Sequence, residues 1–171
     1  MATRFAERVF DRIFCVKTAV QVKLLPTPEQ ASALAETLHA CNEAANFVSR
    51  VAFERNLKSR NDLQKFCYQA VKCRFGLSAQ PAVRVIKKVV DAYAALRANV
   101  RAGNLGDETS RRRIKAESKP ITFREYAAQP FDDRCLSWQF DARTISISTT
   151  AGRLKNIPFA EIGRASCRER V

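Results

Sequence analysis

The residues with the most chemical potential in this chain are its cations. Helical spacing brings Arg84, Lys87 and Lys88 close together and sets Arg97 and Arg101 one turn apart. Arg111, Arg112, Arg113 and Lys115 follow within a short polar stretch. Ammonium and guanidinium groups on a helix bind phosphate, and Arg, Gln and Asn also read base edges in a major groove. Gln80, near the start of the same helix, supplies such an amide, as do Asn42 and Asn46 on an earlier helix. Three adjacent arginines repel one another unless an anion offsets them, so that run points to a polyanion. Between positions 56 and 119 fifteen Lys and Arg face five Asp and Glu, and the whole chain carries +13. Nucleic acid is the partner class that this charge favours. The plain alternative at each position is a solvated helix face or a flexible loop.

Catalytic chemistry finds little support. Asp132, Asp133 and Asp141 are the acids nearest one another in the second half. Metal-dependent phosphoryl transfer would need such carboxylates to hold two cations ~4 Å apart. However, Asp132-Asp133 follows Pro130-Phe131 and reads as a turn, and Asp141 sits where a hairpin belongs. The single histidine, His39, lies mid-helix without a Cys or Ser partner and reads as packed or solvated. The six cysteines, at 15, 41, 67, 73, 135 and 167, lack zinc-knuckle spacing and read as buried thiols. Trp138 and Phe140 read as sheet core ahead of a base-stacking platform.

These residues need elements to position them. The 171 residues, 46% hydrophobic with 5 Gly and 6 Pro, can bury a core, which excludes disordered and collagen-like classes. No apolar run reaches the ~18 residues of a transmembrane helix, and the first residues lack a secretory signal. An intracellular protein is the default expectation. Residues 14–25 alternate as a half-buried strand. Thr27, Pro28 and Gln30 form a capping box that opens a helix to about Arg55, with Leu34, Leu38, Cys41, Ala45, Val48 and Ala52 on its apolar face. A second helix follows Asn61, buries Leu63, Phe66, Cys67, Ala70 and Val71, and stops at Gly76. Ser78 caps a third, whose expected face is Val83, Ile86, Val90, Tyr93, Leu96 and Val100.

Asp107 to Lys119 reads as an exposed basic loop. After Pro120 the character turns to β: Ile121 to Tyr126, Cys135 to Phe140, Thr144 to Thr149 and Leu154 to Phe159 are strand candidates. Asp141-Ala142-Arg143 and Ala151-Gly152-Arg153 fall at hairpin turns. Ile145 and Ile147 alternate with Ser146 and Ser148, as in a sheet with one wet face. The first strand has no local partner, so its expected home is the C-terminal sheet, with the helices inserted between. The expected class is α+β: a small antiparallel β-barrel-like domain split by an inserted three-helix bundle.

Four segments, in order, resemble the TnpB family, also called OrfB, of bacterial insertion sequences. They are VKLLPTPEQASAL, CNEAANFVSRVAFE, GLSAQPAVRVIKKVVDAYAAL with Ala92-Tyr93, and ITFREYAAQPFDDRCLSWQFDARTISISTTAGRLKNIPFA with Gly152-Arg153. Together they cover about residues 14–160. The resemblance implies the nucleic-acid-binding part of an RNA-guided DNA endonuclease, related to type V CRISPR effectors. It implies a wedge barrel (14–26 and 120–160) split by a helical recognition domain (27–106), with the basic loop at 107–119. Guide RNA and target-adjacent DNA are the implied partners, with neither membrane nor small-molecule substrate, in the bacterial cytoplasm. Gln80 and Arg84 are implied to lie where that DNA is contacted. In the family, cleavage belongs to a RuvC-like domain with three carboxylates, magnesium and a zinc element. Those acids and cysteines have no counterpart here, so this chain is expected to be cofactor-free, inactive alone and truncated before that domain. Residues 161–171 are expected to be a non-native tail, and 1–13 have no clear match. The competing readings are a self-sufficient DNA-binding module, such as a repressor, and a basic protein that coats RNA without sequence preference.

Overall fold

The computed structural model describes residues 20–57 and 59–164. Its elements run β1 (Val20–Leu24), α1 (Pro28–Glu54), α2 (Arg60–Phe75), α3 (Ala79–Arg101), α4 (Arg111–Glu117), β2 (Leu136–Gln139), β3 (Thr144–Thr149) and β4 (Gly152–Arg164). The class is α+β, as expected. The capping box forms in full: the Gln30 N–H donates to Thr27 Oγ1 at 3.3 Å, and the Thr27 N–H donates to Gln30 Oε1 at 3.1 Å. Gly76 takes the left-handed conformation, φ 62°, that ends α2.

The strands form one antiparallel sheet of order β1-β4-β3-β2, which curls into a half-barrel. β1 therefore pairs with the last strand, Leu24 opposite Phe159, and all four helices lie between them in sequence. Residues 14–19 of the expected first strand lie outside the described residues. β4 serves two partners, β3 along its first half and β1 along its second. Asn156, at φ 55°, sits in the irregularity that lets β4 bend between them. Pro158 faces Thr144, where β3 begins, so its missing N–H costs little pairing. Thr150 and Ala151 make a two-residue turn into Gly152, whose φ of 113° only glycine takes without strain.

Two cores result. Ile145, Ile147 and Ile157 are buried on the sheet, with Leu24, Leu34 and Phe159 packed around them. Cys41, Ala44, Ala45, Val48 and Ala52 of α1 meet Leu63, Cys67 and Val71 of α2 and Ala82, Val85, Ile86 and Val89 of α3. α1 belongs to both cores, Leu34 to the first and Cys41 onward to the second.

Several expectations are corrected. Ile121 to Tyr126 is not a strand but an irregular crossing segment over α1. Its backbone finds side-chain partners instead of a strand: Asn46 Oδ1 accepts from the Phe123 N–H at 2.7 Å, and Asn46 Nδ2 donates to the Phe123 carbonyl at 3.1 Å. Asn42 Nδ2 donates to the carbonyls of Glu125 and Ala127 at 2.8 and 2.9 Å. The expected loop at 107–119 contains α4. The buried stripe of α3 is Pro81, Ala82, Val85, Ile86 and Val89, because α3 packs on α1 and α2 together; Leu96 and Val100 are only half-buried. Phe66 points out of α2, 58% exposed, with the Arg55 guanidinium 5.1 Å from its ring centroid. Ser146 is buried beside its isoleucine neighbours and donates to Gln139 Oε1, so that part of the sheet has no wet face. β4 itself runs past position 161, its backbone pairing with β1 as far as Arg164.

The Asn42 amide is the natural point of attack on this arrangement. Asn42→Ala takes the donor from two part-buried carbonyls and the acceptor from the Lys88 ammonium, each lost partner costing about 1 kcal/mol. Urea unfolding should show a lowered midpoint at unchanged m-value. An unchanged midpoint would mean that water serves those groups equally well.

Candidate nucleic-acid interface

α3 divides its cations into those already partnered and those left over. At its N-terminal end Gln80 Nε2 donates to Asp132 Oδ2 at 2.6 Å. Arg84 grips the same oxygen with Nε at 2.9 Å and Nη2 at 2.6 Å. The Asp132 side chain is only 8% exposed, and its Oδ1 accepts from the Cys135 N–H at 3.2 Å. The Gln80 and Arg84 hydrogen bonds hold its carboxyl far below the usual carboxylate range. This clamp ties the helical block to the turn that precedes β2. The turn reading of Asp132 thus stands, with a bridging role that its sequence context did not show.

Lys87 pairs with Asp91 one turn along, at 2.5 Å. Lys88 turns inward: its Nζ donates to Asn42 Oδ1 at 2.6 Å and lies 4.9 Å from the centroid of the Phe123 ring. Burial lowers its pKa. Asn42, Asn46, Gln80, Arg84 and Lys88 therefore do internal work. An amide and a guanidinium at i and i+4 on α3, with an Asp in a turn elsewhere in the chain, is the signal that could have suggested the clamp.

The remaining cations lie farther along. Arg97 is half-buried, Arg101 is exposed, and Arg111, Arg112 and Lys115 of α4 are exposed. Arg113 is spent on two carboxylates, Glu117 at 3.0 Å and Glu108 at 3.6 Å. The triple-Arg run is thus two outward cations and one structural one. Of the cations that the sequence singles out, those left over lie at the C-terminal end of α3 and on α4.

Two features go beyond the leading sequence expectations, the second standing there only as the alternative to a sheet core. One groove on α2 is lined by Asn61, Gln64, Lys65, Tyr68 and Gln69, residue types that donate to and accept from base edges. Their spacing of three, four and seven was available as a signal. The other is an aromatic step on the sheet. Trp138 and Phe140 stack with centroids 5.8 Å apart and planes 6° apart, and Phe159 meets Trp138 edge-on at 5.2 Å. Phe140 is 73% exposed, so the core reading fails for it: it lies in the turn just past β2, which is the edge of the sheet among the described residues.

No three of His, Cys, Asp and Glu gather among the described residues. Burial pushes the Cys41 and Cys135 thiols up to about 11, which keeps them protonated and poor as ligands. His39, half-exposed, lies 3.2 Å from a Glu125 carboxylate oxygen. No helix among the described residues is long and apolar enough to cross a membrane.

The clamp makes stability pH-dependent. Asp132 titrates lower when folded than the ordinary carboxylate at about 3.9, so the folded state binds fewer protons in that range. Its contribution is complete above about pH 5 and fades as pH falls below 4. Urea midpoints taken from pH 6 to pH 3 should therefore fall more steeply for the parent than for Asp132→Asn. Parallel curves would assign the acid sensitivity to other carboxylates. Comparison with family models, curated proteins and solved structures returned no match.

Proposed function

We propose that this chain is a nucleic-acid-binding portion of a TnpB-type protein, taking guide RNA and target-adjacent DNA. The observation that carries the reading is the insertion itself. β1 lies beside β4 with every helix between them in sequence, as a wedge barrel split by a recognition domain requires. The charge agrees with it, because the outward cations Arg101, Arg111, Arg112 and Lys115 cluster after the core-forming part of α3. With Gln80 and Arg84 committed to Asp132, the α2 groove is the better reader of base edges, and the α3–α4 cations are phosphate contacts. The reading implies the bacterial cytoplasm.

Salt dependence tests it. Affinity of the full chain for single-stranded RNA should fall linearly on a log–log plot, by roughly 0.7 per phosphate contact. Replacing Arg111 and Arg112 together by Ala should flatten that slope by about 1.4. Arg113→Ala should flatten it less, because its charge is already met by Glu108 and Glu117. A double variant with parental affinity and slope would remove α4 from the binding surface.

A further inference from the structure

The surface next to the outward cations is not flat. A cavity of about 270 Å³ opens between the end of α1, the C-terminal half of α3 and the end of α4 with the residues just beyond it. Phe53, Tyr93 and Leu96 supply apolar wall, Asn56 supplies an amide, and Arg97 and Lys119 supply charge. Glu117, which also borders it, has its carboxylate drawn to Arg113.

We propose that this cavity receives a single unpaired RNA nucleotide, its base stacked against the Phe53 and Tyr93 walls and its phosphate met by Arg97 and Lys119. The inference rests on the nucleic-acid reading above and adds to it a pocket for one extruded base. Three observations carry it. The first is composition: aromatic wall, one amide and two cations is the set that an unstacked nucleotide needs. The second is rigidity. The Tyr93 hydroxyl is bonded at 3.1 Å to both the Ser49 carbonyl and the Ser49 hydroxyl, and it accepts from the Ile121 N–H at 3.4 Å. That wall is set before any ligand arrives, which lowers the ordering cost of binding. The third is location. Arg101 lies one turn beyond Arg97, and α4 ends two residues before Lys119, so a bound strand would continue onto cations in either direction.

The test uses the full chain and a ten-nucleotide oligoadenylate RNA, with the matching DNA and inorganic polyphosphate as controls. Methyl resonances of Leu57 and Leu96 should shift on adding RNA and stay still with polyphosphate, which carries charge without bases. Phe53→Ala, confirmed folded by circular dichroism, should weaken RNA binding about five- to 150-fold, the usual range for one stacked base, with the salt slope unchanged. Leu96→Trp, which fills the cavity and removes no cation, should do the same. Methyls that move equally with polyphosphate, or that answer DNA and not RNA, would overturn the proposal. Salt-dependent RNA binding with silent methyls and parental affinity in both variants would sink the pocket alone and spare the broader function. Absence of RNA binding altogether would sink both.

Discussion

One buried side chain sets the terms for the rest of this structure. A chain that leaves a sheet, builds helices and returns must cross its own first helix without a strand to pair with. Its crossing carbonyls then need donors, because unpaired buried backbone is costly. Asn42 provides them, giving Nδ2 to Glu125 and Ala127 while Oδ1 takes the Lys88 ammonium. Three parts of the molecule, α1, α3 and the returning segment, meet at that one amide. Asn46 repeats the device one turn later with both its atoms on Phe123. The half-buried Lys88 charge is received by an amide oxygen and an aromatic face.

With the crossing fixed, the helical block still has to be held against the sheet. α1 does part of this by lending Leu34 to the sheet core and Cys41 to Ala52 to the helical one. The Thr37 hydroxyl adds a tie at the sheet's rim, accepting from the Thr150 N–H at 3.1 Å. The Asp132 clamp adds the second anchor from α3. Such an anchor has a geometric advantage over a surface ion pair: one carboxylate oxygen receives a guanidinium through two nitrogens and an amide through a third. The helical block is therefore held at two places and not hinged at one.

Legibility in the sequence followed the range of the forces involved. The capping box, the Gly76 stop and the hairpin turns are local, and Thr27, Pro28, Gln30, Gly76 and Gly152 announce them within a few residues. The return of β1 to the last strands was legible for another reason: an alternating strand without a neighbour must find one elsewhere. Failures came where a distant partner decides. Ile121 to Tyr126 has strand composition, yet asparagines some eighty positions earlier in the chain supply its hydrogen bonds. Gln80 and Arg84 have the chemistry of DNA readers, but an aspartate 48 to 52 positions away takes their donors. Phe140 has core composition but falls in the turn just past an edge strand. The candidate site was thus half legible: its charge could be counted, but which charges were already spent could not.

That distinction bears on how the basic surface exists at all. Like charges packed onto one short helix oppose its formation, and a seven-residue helix has little stability of its own. α4 meets both costs through Arg113, whose guanidinium reaches back to Glu108 and forward to Glu117. The i,i+4 pair stiffens the helix, and the backward contact closes the loop that precedes it. Asp107 reinforces that loop by accepting from the Thr109 N–H at 3.1 Å and its hydroxyl at 2.8 Å. One arginine of three is thereby used to order the two beside it. Cations on an ordered helix present phosphate with fixed positions, and a strand bound there loses less entropy than one held by a loose basic tail.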